Sequence, residues 1–145
     1  MITIRNERVE LNRVAFEHEI SAFQTSHVAE RMVESIVRGV IALGVDGVDL
    51  VQKEGCGTRN FRCDDQTSIH LHLLEGIRKK LPQGKVLSYS FPVSVFADTL
   101  DYPYIDVVKY GLGYLDTISL MGQGRGSNDK MVQSVLDLGV PPSKV

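Results

Sequence analysis

The chain has 145 residues, a length typical of one domain, so we treat residues 1–145 as a single domain. Hydrophobic residues make up 43% of the sequence and charged residues 23%, with a formal net charge of −2. This composition gives no support for nucleic-acid binding, and no apolar run is long enough for a membrane span. The amino terminus lacks the apolar region of a signal peptide, so we expect the chain to stay inside the cell unless residues precede Met1.

Hydrophobic spacing predicts that strands and helices alternate along the chain. Apolar residues recur at helical spacing between Val28 and Ile41, and Gly44 is placed to end that helix. The alternation of helices and strands favours right-handed crossovers and a parallel sheet. In chain order the predicted elements are a strand at 2–4, a helix at 28–44, a strand at 45–51, a helix at 66–81, a strand at 85–91, a helix at 104–110, a strand at 115–121, a helix at 129–138 and the start of a strand at 144–145.

The second predicted strand carries the residues Asp46-Gly47-Val48-Asp49-Leu50-Val51-Gln52-Lys53. They resemble the signature Asp-Gly-x-Asp-x-Asp-x-Glu of glycoside hydrolase family 18, which contains the chitinases and the chitinase-like lectins. Asp46 and Asp49 match the first two aspartates of that signature. Val51 stands at the third aspartate, and Lys53 stands at the glutamate that acts as general acid in the family. The resemblance therefore implies a degenerate motif in which the catalytic set is not intact.

Side chains two apart on a strand share a face, so we expect Asp49, Val51 and Lys53 on one side. Three acidic groups at this spacing repel one another, and the repulsion can raise the pKa of the last one until it protonates a glycosidic oxygen. Valine has no proton to give and lysine is cationic at neutral pH, so the acid step is expected to be lost. Glu54 follows directly, and a β-bulge that turned Glu54 to this face would restore an acid.

The resemblance extends over most of the chain. Residues 86–92 are similar to the family's Leu-Ser-rich strand, and residues 138–145 resemble the approach to its seventh strand. Met121 matches the methionine of the family's Met-x-Tyr-Asp strand end, whereas Gln123 and Gly124 replace the tyrosine and aspartate that help hold the substrate's acetamido group. The implied fold is α/β, a partial (β/α)8 TIM-type barrel of about four parallel strand-helix units.

The function implied by the resemblance is that of a catalytically inactive chitinase-like protein that binds N-acetylglucosamine-containing glycans. The expected ligand contacts, at or near the carboxyl ends of the strands, are Asp46, Asp49, Tyr89, Met121 and Gln123. Tyr89 also fits core packing, because it lies in the middle of its strand. The absence of Trp argues against a strong sugar-binding cleft.

Two other functions remain open on the sequence. The first is a residually active glycoside hydrolase that uses Glu54 as its acid. The second is an assembly module, because a half barrel leaves open sheet edges that invite pairing with other chains. Two copies would close an eight-stranded ring by symmetry, which predicts a homodimer. The alternative is that the chain is a fragment or degenerate gene product of marginal stability.

The loop after the acidic strand contains both cysteines. Cys56 and Cys63 would form a disulfide in a secreted relative and would stay reduced in the cytosol. A zinc site needs two further ligands, and the nearest histidines, His70 and His72, lie on roughly opposite faces of the next helix. We therefore expect no metal site here and interpret both histidines as solvent-exposed.

The glycine-rich residues 122–127 lie between a predicted strand and a predicted helix. Backbone amides there, together with Arg125, are suited to an anion such as phosphate. Neither the full dinucleotide fingerprint nor the lysine-serine ending of a phosphate loop is present, so a flexible loop is the alternative and no cofactor is expected.

Overall fold

The computed structural model describes residues 2–5, 27–52, 63–94, 102–123 and 129–145. They form four strands and four helices that alternate along the chain. In chain order these elements are β1 (Ile2–Arg5), α1 (His27–Leu43), β2 (Gly47–Val51), α2 (Cys63–Lys80), β3 (Val86–Ser94), α3 (Tyr102–Gly111), β4 (Thr117–Gln123) and α4 (Asp129–Asp137). Two short 3-10 helices, Leu112–Tyr114 and Pro142–Lys144, follow α3 and α4. The predicted α/β class is confirmed.

The four strands form one parallel sheet in the order β1-β2-β3-β4. Consecutive strands are therefore neighbours, and the order never reverses. Asp49 of β2 lies in register with Thr3 of β1 and Ser88 of β3, and Ser88 lies in register with Thr117 of β4. Since crossovers between parallel strands have one hand, this order places the connecting helices on the same side of the sheet.

The core lies between that side of the sheet and the helices. All four helices contribute to a single hydrophobic cluster with residues that alternate along the strands. The side of the sheet in this cluster, which we name the core face, is formed by Val48, Leu50, Leu87, Tyr89, Phe91 and Ile118. The helices contribute Val33, Val37 and Val40 of α1, Leu73, Leu74 and Ile77 of α2, Tyr104, Val107 and Val108 of α3, and Met131 and Val135 of α4.

The opposite side of the sheet, which we name the Asp49 face, has a different composition. It carries small and polar residues where the core face carries large apolar ones. Its members, which share register positions across β2, β3 and β4, are Gly47, Asp49, Val51, Val86, Ser88, Ser90, Pro92, Thr117, Ser119 and Met121. Val51 is buried and yet does not belong to the core cluster, as expected for a residue on this side.

Glycines with positive φ end two of the helices and form the turn before β3. Gly44 has φ +62° and follows α1, and Gly139 has φ +87° and follows α4. Gly44 was predicted as a helix end, and Gly139 directly follows the predicted end of the last helix at residue 138. Glycine adopts this left-handed conformation without a Cβ penalty. Gly84, with φ +84°, lies in the turn before β3.

The amino edge of the sheet is held by three cationic side chains. Arg78 of α2 donates to Tyr114 O at 2.8 Å and to the carboxylate of Asp116, which precedes β4. Lys85 Nζ donates to Val45 O at 2.8 Å, and Lys144 Nζ donates to Leu115 O at 2.6 Å. These bonds satisfy carbonyls at the ends of helices and turns and so stabilise this edge of the sheet.

Two sequence predictions are wrong. Residues 144–145 do not begin a strand, because the chain after Val140 turns into the 3-10 helix Pro142–Lys144. His70 is buried against the core, where its ring lies 6.0 Å from that of Tyr89 in an edge-on contact, whereas His72 is exposed as expected.

Within the described part of the chain, no helix has both the length and the apolar character needed to span a bilayer.

Candidate functional site

Asp49 is the centre of a hydrogen-bonded group on the Asp49 face. Its Oδ1 accepts hydrogen bonds from Ser88 Oγ at 2.6 Å and from Ser90 Oγ at 2.8 Å, and its Oδ2 accepts from Ser90 Oγ at 3.0 Å. Both serines are buried, whereas Asp49 is half-buried. The two hydroxyls therefore hold the carboxylate in one orientation while part of it stays accessible.

This group forms because the pairing of β2 with β3 places the side chains of Asp49, Ser88 and Ser90 on the same side of the sheet. Asp49 pairs with Ser88, and Val51 pairs with Ser90, so the three polar side chains come from adjacent register positions. Parallel pairing keeps paired residues on the same side of the sheet. The two serine hydroxyls donate hydrogen bonds to the half-buried carboxylate. The carboxylate therefore avoids the free-energy cost of a buried charge without hydrogen-bond partners.

The Asp49 face continues towards the carboxyl edge through β4. Ser119, which pairs with Ser90, is exposed, and Met121, which pairs with Pro92, is half-buried. Gln123 pairs with Ser94 at the end of the strand. The face thus offers an acceptor at Asp49, a hydroxyl at Ser119 and a soft apolar group at Met121, a combination suited to a ligand with both hydroxyls and apolar patches.

Val51, which the resemblance sets at the third aspartate of the signature, also lies on this face. Val51 pairs with Ser90 and is buried. It carries no group that transfers a proton. Lys53 and Glu54, and with them the possible β-bulge, lie outside the described residues.

Tyr89 does not belong to this site. It lies on the core face, fully buried, and its hydroxyl donates to Gln52 Oε1 at 2.6 Å. Its ring is 5.4 Å from that of Phe91. Burial, with a smaller contribution from Tyr104, raises the pKa of Tyr89 well above its ordinary value of about 10, so its phenol stays a neutral donor. The alternative of core packing is the one that the structure supports.

Asp46 is also separated from Asp49. It precedes β2, is exposed, and its backbone carbonyl accepts from Val86 N at 2.9 Å. Asp46 therefore lies at the amino edge of the sheet, whereas Met121 and Gln123 lie near the carboxyl ends of the strands. The structure brings Asp49 and Met121 to one face and leaves Asp46 and Tyr89 outside it.

Sequence reasoning missed Ser88 and Ser90 as partners of Asp49. The signal was present in the alternation Leu87-Ser88-Tyr89-Ser90-Phe91, in which large apolar and small polar residues follow a period of two. A strand with helices on both sides reads as a continuous apolar run, so this alternation indicates a strand with one polar side.

The other predicted sites cannot be placed in the structure. Cys56 and Arg125 lie outside the described residues. Of the glycine-rich residues 122–127, the structure describes Gly122, which is exposed, and Gln123, both at the end of β4. Residues 124–127 lie outside the described part of the chain. No group of three or more metal-binding side chains occurs among the residues that the structure describes.

Comparison of the chain with protein-family models, with curated proteins and with solved structures finds no match. The interpretation of the Asp49 face therefore depends on its own residues and geometry.

Proposed function

We propose that the chain is a catalytically inactive chitinase-like protein that binds N-acetylglucosamine-containing glycans on the Asp49 face of a partial (β/α)8 barrel. The observation that carries this proposal is the placement of Asp49. Within the family resemblance it matches the second aspartate of the signature, and its carboxylate is held by Ser88 and Ser90 on the side of the sheet opposite the helices.

The strand order supports the barrel. Doubly wound sheets reverse their strand order and carry helices on both faces, whereas the strands of a (β/α)8 barrel follow one another with all helices outside. The order β1-β2-β3-β4, with one core shared by all four helices, follows the second pattern. In such a barrel the Asp49 face is the inner one.

The hydrogen bonding of Asp49 supports binding without catalysis. Asp49 is the one carboxylate among the residues that define the Asp49 face, and both serines donate to it. It therefore acts as an acceptor, and Oδ2 keeps room for a donor from a ligand. Sugar hydroxyls and the N–H of an acetamido group are such donors. Val51, at the third aspartate position, adds no acid.

Glycan binding is tested by titrating the protein with oligomers of N-acetylglucosamine and following the heat of binding. We expect Asp49→Asn to weaken binding about tenfold or more, because a charge-assisted hydrogen bond contributes roughly 1.5–3 kcal/mol. The asparagine oxygen still accepts from the serines, so the fold is retained. Asp46→Asn is the matched control and is expected to bind like the unmodified protein, because Asp46 lies at the other edge.

The absence of binding at millimolar glycan would overturn the proposal, as would an equal loss in both variants. Cello-oligosaccharides, which lack the acetamido group, serve as the ligand control and are expected to bind more weakly. Catalysis is tested separately with a fluorogenic chitobioside, from which we expect no release of fluorophore. Turnover that disappears in Glu54→Gln would instead establish the residually active hydrolase.

A further inference from the structure

We draw no further inference here: the strongest candidate, the partly exposed apolar stripe of Met32, Ile36 and Leu43 along α1, carries none because nothing in the described part of the chain shows what covers it.

Discussion

Asp116 joins three segments at the amino edge of the sheet. Its carboxylate accepts from Leu87 N at 2.8 Å and from Arg78, and its side chain is 48% exposed. Partial burial acts to raise the pKa of Asp116, but the hydrogen bond from Leu87, the hydrogen bond and charge of Arg78 and the charge of Lys144 together lower it below its ordinary value. The folded state therefore favours the ionised carboxyl.

We expect Asp116→Asn to lower the free energy of unfolding by about 1 kcal/mol at pH 7, a value reduced for the solvent that screens a half-exposed group. A lowered pKa stabilises the fold fully above the unfolded value of about 4, and the stabilisation is lost as the pH falls through the folded value. The difference between the two proteins in urea unfolding should thus be constant from pH 7 to 5 and shrink below about pH 4.

Glu75 provides the comparison. Hydrogen bonding to Lys79, and then the charge of Lys79, lower the pKa of Glu75 too, but this pair is exposed and lies within one helix. Glu75→Gln should therefore leave the unfolding midpoint unchanged. A pH-independent loss in Asp116→Asn would mean that the Asp116 carboxylate acts through packing alone.

At the scale of single residues, the sequence could predict which side chains of a strand share a face, because side chains alternate along a strand. Spacing by two correctly placed Asp49 and Val51 on one face. It did not say which face of β3 turns away from the helices, so Tyr89 remained both a candidate ligand contact and a candidate core residue. Its neighbours Ser88 and Ser90 lie on the side away from the helices. Large apolar residues at alternate positions pack against the helices, so the side of β3 that carries them belongs to the core face.

At the scale of elements, Gly47 permits the close approach of β2 and β3. A Cβ at Gly47 would lie 2.0 Å from Val86 O, the backbone atom of its register partner. The backbone cannot yield without breaking the pairing. The glycine of the Asp-Gly-x-Asp sequence is therefore required here by packing and needs no catalytic explanation.

We expect Gly47→Ala to lower the free energy of unfolding by about 3 kcal/mol, at the upper end for overpacking of a well-packed site. Gly113→Ala is the matched control. Nothing lies within 4 Å of a Cβ there, and its φ is not positive, so we expect no change or a gain of about 0.5 kcal/mol from the less flexible unfolded chain. Chemical denaturation of both variants checks this. Equal stability of the two would contradict the close approach.

Element type was predictable from the sequence, but element ends were less so. The order of all four helices and four strands is as predicted, and Gly44 and Gly139 end their helices. β3 runs past the predicted end at Phe91 to Ser94, because its pairing with β4 continues as far as Ser94 opposite Gln123. Residues 144–145 lack the alternating pattern of a strand, and the prolines before them favour a turn.

At the scale of the whole molecule, the strand order and the composition of the two faces agree that the helices lie on one side of the sheet. A sheet that never reverses its order has one side for helices, and the other side is free to carry Asp49, Ser88 and Ser90. Local sequence patterns predicted the parallel sheet. They could not specify which side of each helix meets its neighbour, which depends on contacts such as the ion pair between Glu34 of α1 and Lys80 of α2.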